Sequence, residues 1–550
     1  MSEAVQRYFL PGSRQRIYLI GVFGSLIIMF LSVWRVGPVV VEAKDTFGLV
    51  SHLPLGYWMG LALLLVISIF AFLDRELKKD AIYLAILIAL GLFLLGITVF
   101  VYENAVTPDS YYPTAEVKNL LITHHLDINH PPILSSYYSW PAIHFISASL
   151  MEITGLDLYP FLKYASLLWI PCFVFVTYGI GKRFKLEPNR CFLLSFLAIS
   201  SWLINFAGYY YARFPAMILF LLIFMLLLVP RRTPAENIAV VLMFTALVIT
   251  HGLTAVAVLL ALTLLAIYRK NPISMLLFIV IFGVWYIYQA TGALDIGIDA
   301  FKKPLKDIFS LVEGGRYQVS ASTSRLVTRY SELSYLAAYA ALMIGSAVLL
   351  LRRKIKEEHR KLIIALFCWA IGVALIVFWG HGEASFRTFI YCIVPALCIV
   401  VLSFSNTKLL IPLMCLFVVL SPLFSYAGQA GWGQVLTTEL KGTKFFALEV
   451  KPKSSYLYGP GGQLIFYYDP GMVSSPHLDP LSTANVTRLG DVDLSVLDKL
   501  QYVIISKQET SWQEFTWNEA PYASWPQTEG GKKANLLYDN GDFQIYENHL

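Results

Sequence analysis

The sequence predicts a polytopic α-helical membrane protein carrying a small α/β domain at its C-terminal end. Three observations carry that fold class. Apolar residues make up 57% of the 550-residue chain and charged residues only 14%, against about 25% charged in an ordinary soluble domain. Apolar runs near 18 residues or longer recur through most of the chain, and a helix needs about 20 residues to cross a hydrocarbon core. After residue 427 that pattern stops and short strand-like runs with turn signals replace it. With a mean hydropathy of +0.62, so few charges could not cover several water-soluble cores. A multidomain soluble enzyme, a collagen, a disordered tail and a disulfide mini-protein are excluded.

Spans are expected at 17–34, 57–73, 81–102, 160–180, 191–208, 216–230, 236–250, 254–268, 273–289, 333–351, 362–380, 388–404 and 409–427. The first is too long and lacks the small-residue site of a cleaved signal peptide. Basic residues orient the set: Arg14, Arg16, Arg75, Lys78, Lys182, Arg183, Arg190, Arg231, Arg269 and the Arg352–Lys361 cluster all fall in short connections on one side. Short basic connections mark the cytoplasmic side. The N-terminus is therefore expected inside the cell membrane and the tail beyond 428 outside it. The net charge of +6 is informative through this placement, and no nucleic-acid partner is expected. The six cysteines form no C-x-x-C pair and lie in or beside apolar runs, so neither a disulfide framework nor a zinc site is supported.

The chain thus divides into a membrane part, 1–427, with long outer segments at 103–159 and 290–332, and an outer α/β part, 428–550. Trp140–Ile153 reads as an interfacial helix. In the outer part Ser455–Gly459 and Tyr502–Ser506 are strand-like and Asp493–Leu500 is helical. Leu536–Tyr546 is a hairpin with Asn540-Gly541 as a type I′ turn. Asn485-Val-Thr487 is a glycosylation sequon, and Lys302–Phe309 can lie on the membrane as an amphipathic helix. No internal repeat is visible, which weakens an inverted-repeat transporter.

Chemistry gathers in the first outer segment. Asp109 follows the third span closely, at the outer membrane face, where a carboxylate can serve as general base for an acceptor hydroxyl. From spacing alone the competing reading is a cap for a helix beginning near Tyr111. His124, His125 and His130 with Asp127 lack the i,i+4 spacing of a metal-binding helix, so a solvated loop is the simpler reading and no metal ligand is assigned. Tyr111-Tyr112, Tyr137-Tyr138 and Tyr209-Tyr210-Tyr211 are either interfacial belt residues or platforms for sugar faces.

Asp109, Tyr112 three residues on, Ala115, His130-Pro131-Pro132, then Trp140-Pro141 before an amphipathic helix ending in Thr154-Gly155 resemble the first outer loop of the GT-C glycosyltransferases. The likeness is to the protein O-mannosyltransferase and aminoarabinose-transferase branch and its archaeal relatives. It implies Asp109 as catalytic base, Tyr112 and His130 as supporting positions, and a polyprenyl- or dolichyl-phosphate sugar as donor. Two features depart from the oligosaccharyltransferases of that superfamily. Gly431-Trp-Gly-Gln434 lacks the Asp of a WWDYG signature, and Asn205–Pro215 contains no acid for a second D-x-D loop. A metal-dependent oligosaccharyltransferase is therefore disfavoured, although a divalent cation stays possible.

A lipid-phosphate donor needs cations at the outer face. Arg213, in Tyr209–Pro215, and Arg387, in His381–Arg387, occupy short outer turns, and arginine grips phosphate with a planar fork. Each can instead snorkel to lipid headgroups. His251, in Thr250-His-Gly-Leu-Thr254, sits in the tightest outer turn; similar turns occur in archaeal GT-C relatives, and a structural role at the helix junction competes with phosphate binding. Glu383 is a second candidate acid or base, and Tyr210 a sugar platform. The expected activity is inverting transfer of one sugar to a lipid, glycan or protein acceptor at the outer face. A transporter or polymerase of lipid-linked glycans is the alternative; it predicts ionisable groups near the midplane, where the spans have almost none.

Overall fold

The structure, a computed structural model, describes residues 13–42, 45–106, 108–125, 139–201, 212–228, 233–268, 272–290, 382–403, 410–427, 434–450, 456–457, 500–517 and 521–548, with 327, 341, 344–345, 348, 468 and 497. Its first helices are α1 (Ser13–Val36), α2 (Leu55–Leu73), α3 (Asp80–Leu94), α4 (Ile97–Val101), α5 (Pro108–Thr123) and α6 (Ala142–Thr154). Then come α7 (Leu158–Arg183), α8 (Pro188–Ile199), α9 (Arg213–Leu227), α10 (Pro234–Val248), α11 (Gly252–Tyr268), α12 (Pro272–Tyr288), α13 (Gly382–Ser403) and α14 (Ile411–Ala427). Helices stand at the expected apolar segments apart from 333–351 and 362–380, which lie almost wholly outside the described residues. Among the described residues three helices are long and apolar enough to cross a membrane by length and composition: Gln15–Val36, Leu55–Leu73 and Leu158–Arg183.

One expected span is broken. Residues 81–102 form α3 and α4 rather than a single helix, because Leu95 and Gly96 both donate to the carbonyl of Gly91, at 2.8 and 3.1 Å, and close the first helix early. Helix ends otherwise follow local chemistry. Thr233 and Glu236 form a capping box at the start of α10, with Pro234 in its first turn. Gly155, at φ 67°, ends α6 in the left-handed conformation.

Along α1, Ile17, Ile20, Phe23, Ile27, Leu31 and Trp34 are exposed at helical spacing, the stripe that a hydrocarbon solvent covers. The opposite face packs on α2, where Gly60 lets the backbones approach: a Cβ there would lie 2.8 Å from the Ser25 carbonyl oxygen. Small residues at such a crossing gain dispersion contacts, the main attraction between helices in lipid. One apolar core runs through Tyr57, Tyr83, Phe93, Phe173, Phe192, Phe244 and Leu397.

The two ends of this bundle differ. At the basic end Lys182 pairs with Asp80 at 2.8 Å, Tyr178 donates to Asp80 at 2.7 Å, Arg183 meets Glu236 at 3.3 Å and Tyr18 donates to Asp74 at 3.0 Å. At the other end the C-terminal region docks. Its α15 (Thr437–Phe445), β1 (Tyr456–Leu457), β2 (Tyr502–Ser506), α16 (Lys507–Trp517), β3 (Asn535–Asp539) and β4 (Phe543–Glu547) include a four-stranded sheet of order β1-β2-β4-β3. Strand β1 runs parallel to β2, and the other pairs are antiparallel. Alternate residues of β2 enter different clusters, Tyr502 and Ile504 with Phe446 and Phe543, Val503 and Ile505 with Trp525 and Tyr546. That period of two buries both sheet faces.

The hairpin forms where expected, but its turn is not type I′. That turn needs positive φ at both central residues, and of the pair only Gly541, at φ 90°, has it. The Asn540 side chain is drawn into a tertiary contact, donating to the Thr438 carbonyl at 2.8 Å. Of the other expectations here, Asn485 and most of 493–500 lie outside the described residues.

The docking junction is polar and buried. The Gln434 side-chain amide accepts from Val41 N–H at 3.0 Å and donates to the Val39 carbonyl at 2.6 Å. Asn104 donates to the Val435 carbonyl at 2.9 Å and accepts from Tyr159 at 2.6 Å. Glu439, fully buried, accepts from Gln508 N–H at 2.7 Å and Leu436 N–H at 3.3 Å.

Candidate functional site

Asp109 lies second in α5, so the helix starts earlier than Tyr111 and Asp109 is inside its first turn rather than the cap before it. Four residues on, Pro113 has no N–H to give the Asp109 carbonyl, which loosens that turn. The neighbouring face is buried: Ser110 donates to the Val106 carbonyl at 3.0 Å and Thr114 to the Ser110 carbonyl at 2.6 Å. Tyr111 packs with Val117, Ile143 and Phe161. Glu116 is 1% exposed. Being seven residues from Asp109 it shares its helix face, since two turns span about seven residues. Its i,i+7 spacing from Asp109 is the one signal of this acid in the sequence.

Helix α5 packs on α6, and the segment leading into α6 joins the rest of the cluster. Ala142 N–H donates to the Ile249 carbonyl at 3.1 Å, and the Trp285 indole donates to the Ser139 carbonyl at 2.9 Å. Trp140 and Tyr286 close over Gly252 so tightly that any Cβ there would overlap both. The first outer segment, the 249–252 turn and α12 thus meet at one glycine.

His251 is the residue before α11. Its Nδ1 accepts the Thr254 N–H at 3.3 Å and lies 2.9 Å from Thr254 Oγ1. The Thr254 hydroxyl in turn hydrogen-bonds the Tyr391 hydroxyl, a buried contact. Tyr391 stands on α13 one turn beyond Arg387. Its ring meets Phe220 edge-on, centroids 5.3 Å apart, and Phe220 is two turns along α9 from Arg213. Arg213 itself opens α9, where its charge adds to the positive end of the helix dipole instead of offsetting it. Phe214 beside it packs near Trp169 and Phe173, at 6.3 and 6.2 Å.

Of the residues singled out from sequence, the contacts around Tyr391 gather His251, the helix of Arg387 and Glu383, and the helix of Arg213. Asp109 and Tyr112 stand on α5, linked to that group through α6. His130 and Tyr210 lie outside the described residues, as do nearly all of 290–332 and all of 428–433. Tyr391 and Tyr286 were not singled out, and Trp140 and Thr254 entered only as parts of the Trp-Pro and Thr250–Thr254 strings; the i,i+4 relation of Tyr391 to Arg387 is the one local hint of its place. Among the described residues no three His, Cys, Asp or Glu side chains converge as metal ligands.

No protein-family model and no curated protein matches the chain. Solved structures do. The Archaeoglobus fulgidus oligosaccharyltransferase in complex with Zn and sulfate superposes with a TM-score of 0.52 at 11% identity, covering 85% of this chain and 73% of that one. The same enzyme tethered to an acceptor peptide containing the NVT sequon gives 0.50 at 11% identity, over 87% and 75%. ArnT from Cupriavidus metallidurans bound to undecaprenyl phosphate gives 0.48 at 11% identity, over 85% and 97%. At such identity the likeness concerns architecture alone: the chain shares the fold of the A. fulgidus oligosaccharyltransferase.

Proposed function

We propose that this chain is a membrane glycosyltransferase that moves a sugar from a polyprenyl- or dolichyl-phosphate carrier to an acceptor on the extracytoplasmic face. The observation that carries the reading is a GT-C fold in which the segment leading into α6, the 249–252 turn and α13 come together at one end of the bundle, opposite the basic end, with α5 packed on α6. With the basic end cytoplasmic, that meeting point faces outside, together with the sheet-bearing region beyond 428. The fold neighbour from A. fulgidus is an oligosaccharyltransferase, which supports transfer chemistry for this fold; the donor class rests on the loop resemblance and the arginines.

In this reading Asp109 takes the proton of the acceptor hydroxyl as its oxygen attacks the anomeric carbon. The C–O bond to phosphate breaks on the opposite side, so configuration inverts and the lipid phosphate leaves. Arg387 and Arg213 hold the leaving phosphate, where charge grows in a water-poor setting and fixed cations act strongly. His251 adds a hydrogen bond. Tyr112, His130, Tyr210 and Glu383 contact the sugar or the acceptor, and the region beyond 428 positions the acceptor.

The test incubates the purified full chain with radiolabelled polyprenyl-phosphate sugars and measures release of polyprenyl phosphate. Asp109→Asn is expected to cut turnover by about 10²–10⁴-fold, the usual share of a general base, with donor binding kept. Near-normal turnover in that variant removes Asp109 from the mechanism. A wild type that releases nothing from any donor sugar refutes the transfer reading.

A further inference from the structure

A histidine before a helix is an unusual cap; serine, threonine, aspartate and asparagine are the common ones. His251 nevertheless does the capping job, since its Nδ1 accepts the N–H of Thr254, the third residue of α11. That contact has a chemical corollary. A backbone N–H can only donate, so Nδ1 must present a lone pair, and the proton of the neutral ring must sit on Nε2. The Thr254 hydroxyl, 2.9 Å from the same nitrogen, then donates to Nδ1 as well. Its oxygen accepts from the Tyr391 hydroxyl, and all three hydrogen bonds have one consistent direction.

We propose that Tyr391 and Thr254 are positioning residues that hold His251 as the Nε2–H tautomer, making it a neutral hydrogen-bond donor for the phosphate of the lipid carrier. The phosphate end of this proposal rests on the transfer reading above; the tautomer does not. The arrangement separates two tasks in one ring. Nδ1 stabilises the start of α11, and Nε2 keeps a proton that no Ser, Thr, Asp or Asn cap could offer there. Because Tyr391 is one helical turn from Arg387, about 6 Å along the axis, the same chain of hydroxyls ties the donor to the helix carrying the proposed phosphate-binding arginine.

Two measurements on the full chain in detergent decide the matter. The first is nitrogen NMR of ¹⁵N-histidine-labelled protein without ligand, the His251 signals assigned by their loss in His251→Asn. An unprotonated Nδ1 with a protonated Nε2 is expected, relaxing to a tautomer mixture in Thr254→Val and in Tyr391→Phe. A protonated Nδ1 in the wild type overturns the proposal. The second is binding of polyprenyl phosphate. His251→Asn keeps a capping oxygen but loses the Nε2–H, so an unchanged melting temperature is expected with binding weaker by about ten- to a hundredfold, the range for a hydrogen bond to a charged group. Tyr391→Phe should weaken binding by less, and in turnover both variants should raise the donor KM and lower kcat, Tyr391→Phe by the smaller factor in each. Wild-type binding in His251→Asn overturns the proposal while leaving the transfer reading intact. A wild type that neither binds polyprenyl phosphate nor releases it overturns the transfer reading and the phosphate end with it, and the tautomer is still decided by the first measurement.

Discussion

The two ends of the helix bundle treat polar groups differently. At the basic end, acids and bases sit close together and half exposed: the Lys182 and Asp80 side chains are 40% and 45% accessible, and Arg183 is 39%. Such pairs contribute at most about 1 kcal/mol each. They hold helices in register and are screened by solvent. At the other end the described polar contacts are mainly neutral, buried and long in sequence separation, as in Thr254 to Tyr391 or Gln434 to Val41. A buried hydrogen bond broken on one side leaves an unsatisfied group, which costs about 1–3 kcal/mol. The basic end tolerates loss of a partner, whereas the opposite end depends on several partners at once.

That contrast can be broken or sharpened by substitution. The largest stability effect is expected at Glu439. Burial, reinforced by the charge of Asp542, pushes its carboxyl up to about 7 from 4.5, against hydrogen bonds from Gln508, Leu436 and Ser506 that favour the charged form. The folded state therefore keeps a proton that the unfolded chain has released. Its stabilising contribution is full below about pH 4.5, falls as pH rises to about 7, and is flat above, on the order of 3 kcal/mol in total. Unfolding of the full chain followed between those limits should show this slope, and Glu439→Gln should flatten it. An equal slope in the variant assigns the effect elsewhere.

Next comes Gly252→Val, which forces Trp140 and Tyr286 apart. Overpacking of this kind costs about 1–3 kcal/mol, and the melting temperature should fall accordingly. Turnover should fall further than stability does if the first outer segment must be seated against the 249–252 turn. The smallest effect is expected from Asp80→Asn at the basic end, below about 1 kcal/mol and with unchanged turnover. A large loss of activity there would erase the distinction between the two ends.

The helices were legible because hydropathy reports solvent, and solvent is a local property of each segment. The break at Leu95 and Gly96 was not, since it depends on where two N–H groups find one carbonyl. Asp109 was singled out by its position just after an apolar run, and the loop resemblance implied its role, but its place inside the first turn follows only from the helix start at Pro108. The partners of His251 escaped because Tyr391 is 137 residues from Thr254; nothing local in either stretch announces the other. Glu439 and Gln434 read as ordinary polar residues of an outer segment and become a buried junction only when the sheet docks.

Gln434 has a consequence for biosynthesis. Its amide imitates one link of a β-ladder for Val39 and Val41, across 393 residues of chain. During synthesis the first two helices emerge long before residue 434 does, so the Val39 carbonyl and the Val41 N–H must stay hydrated or borrow other partners until that residue arrives.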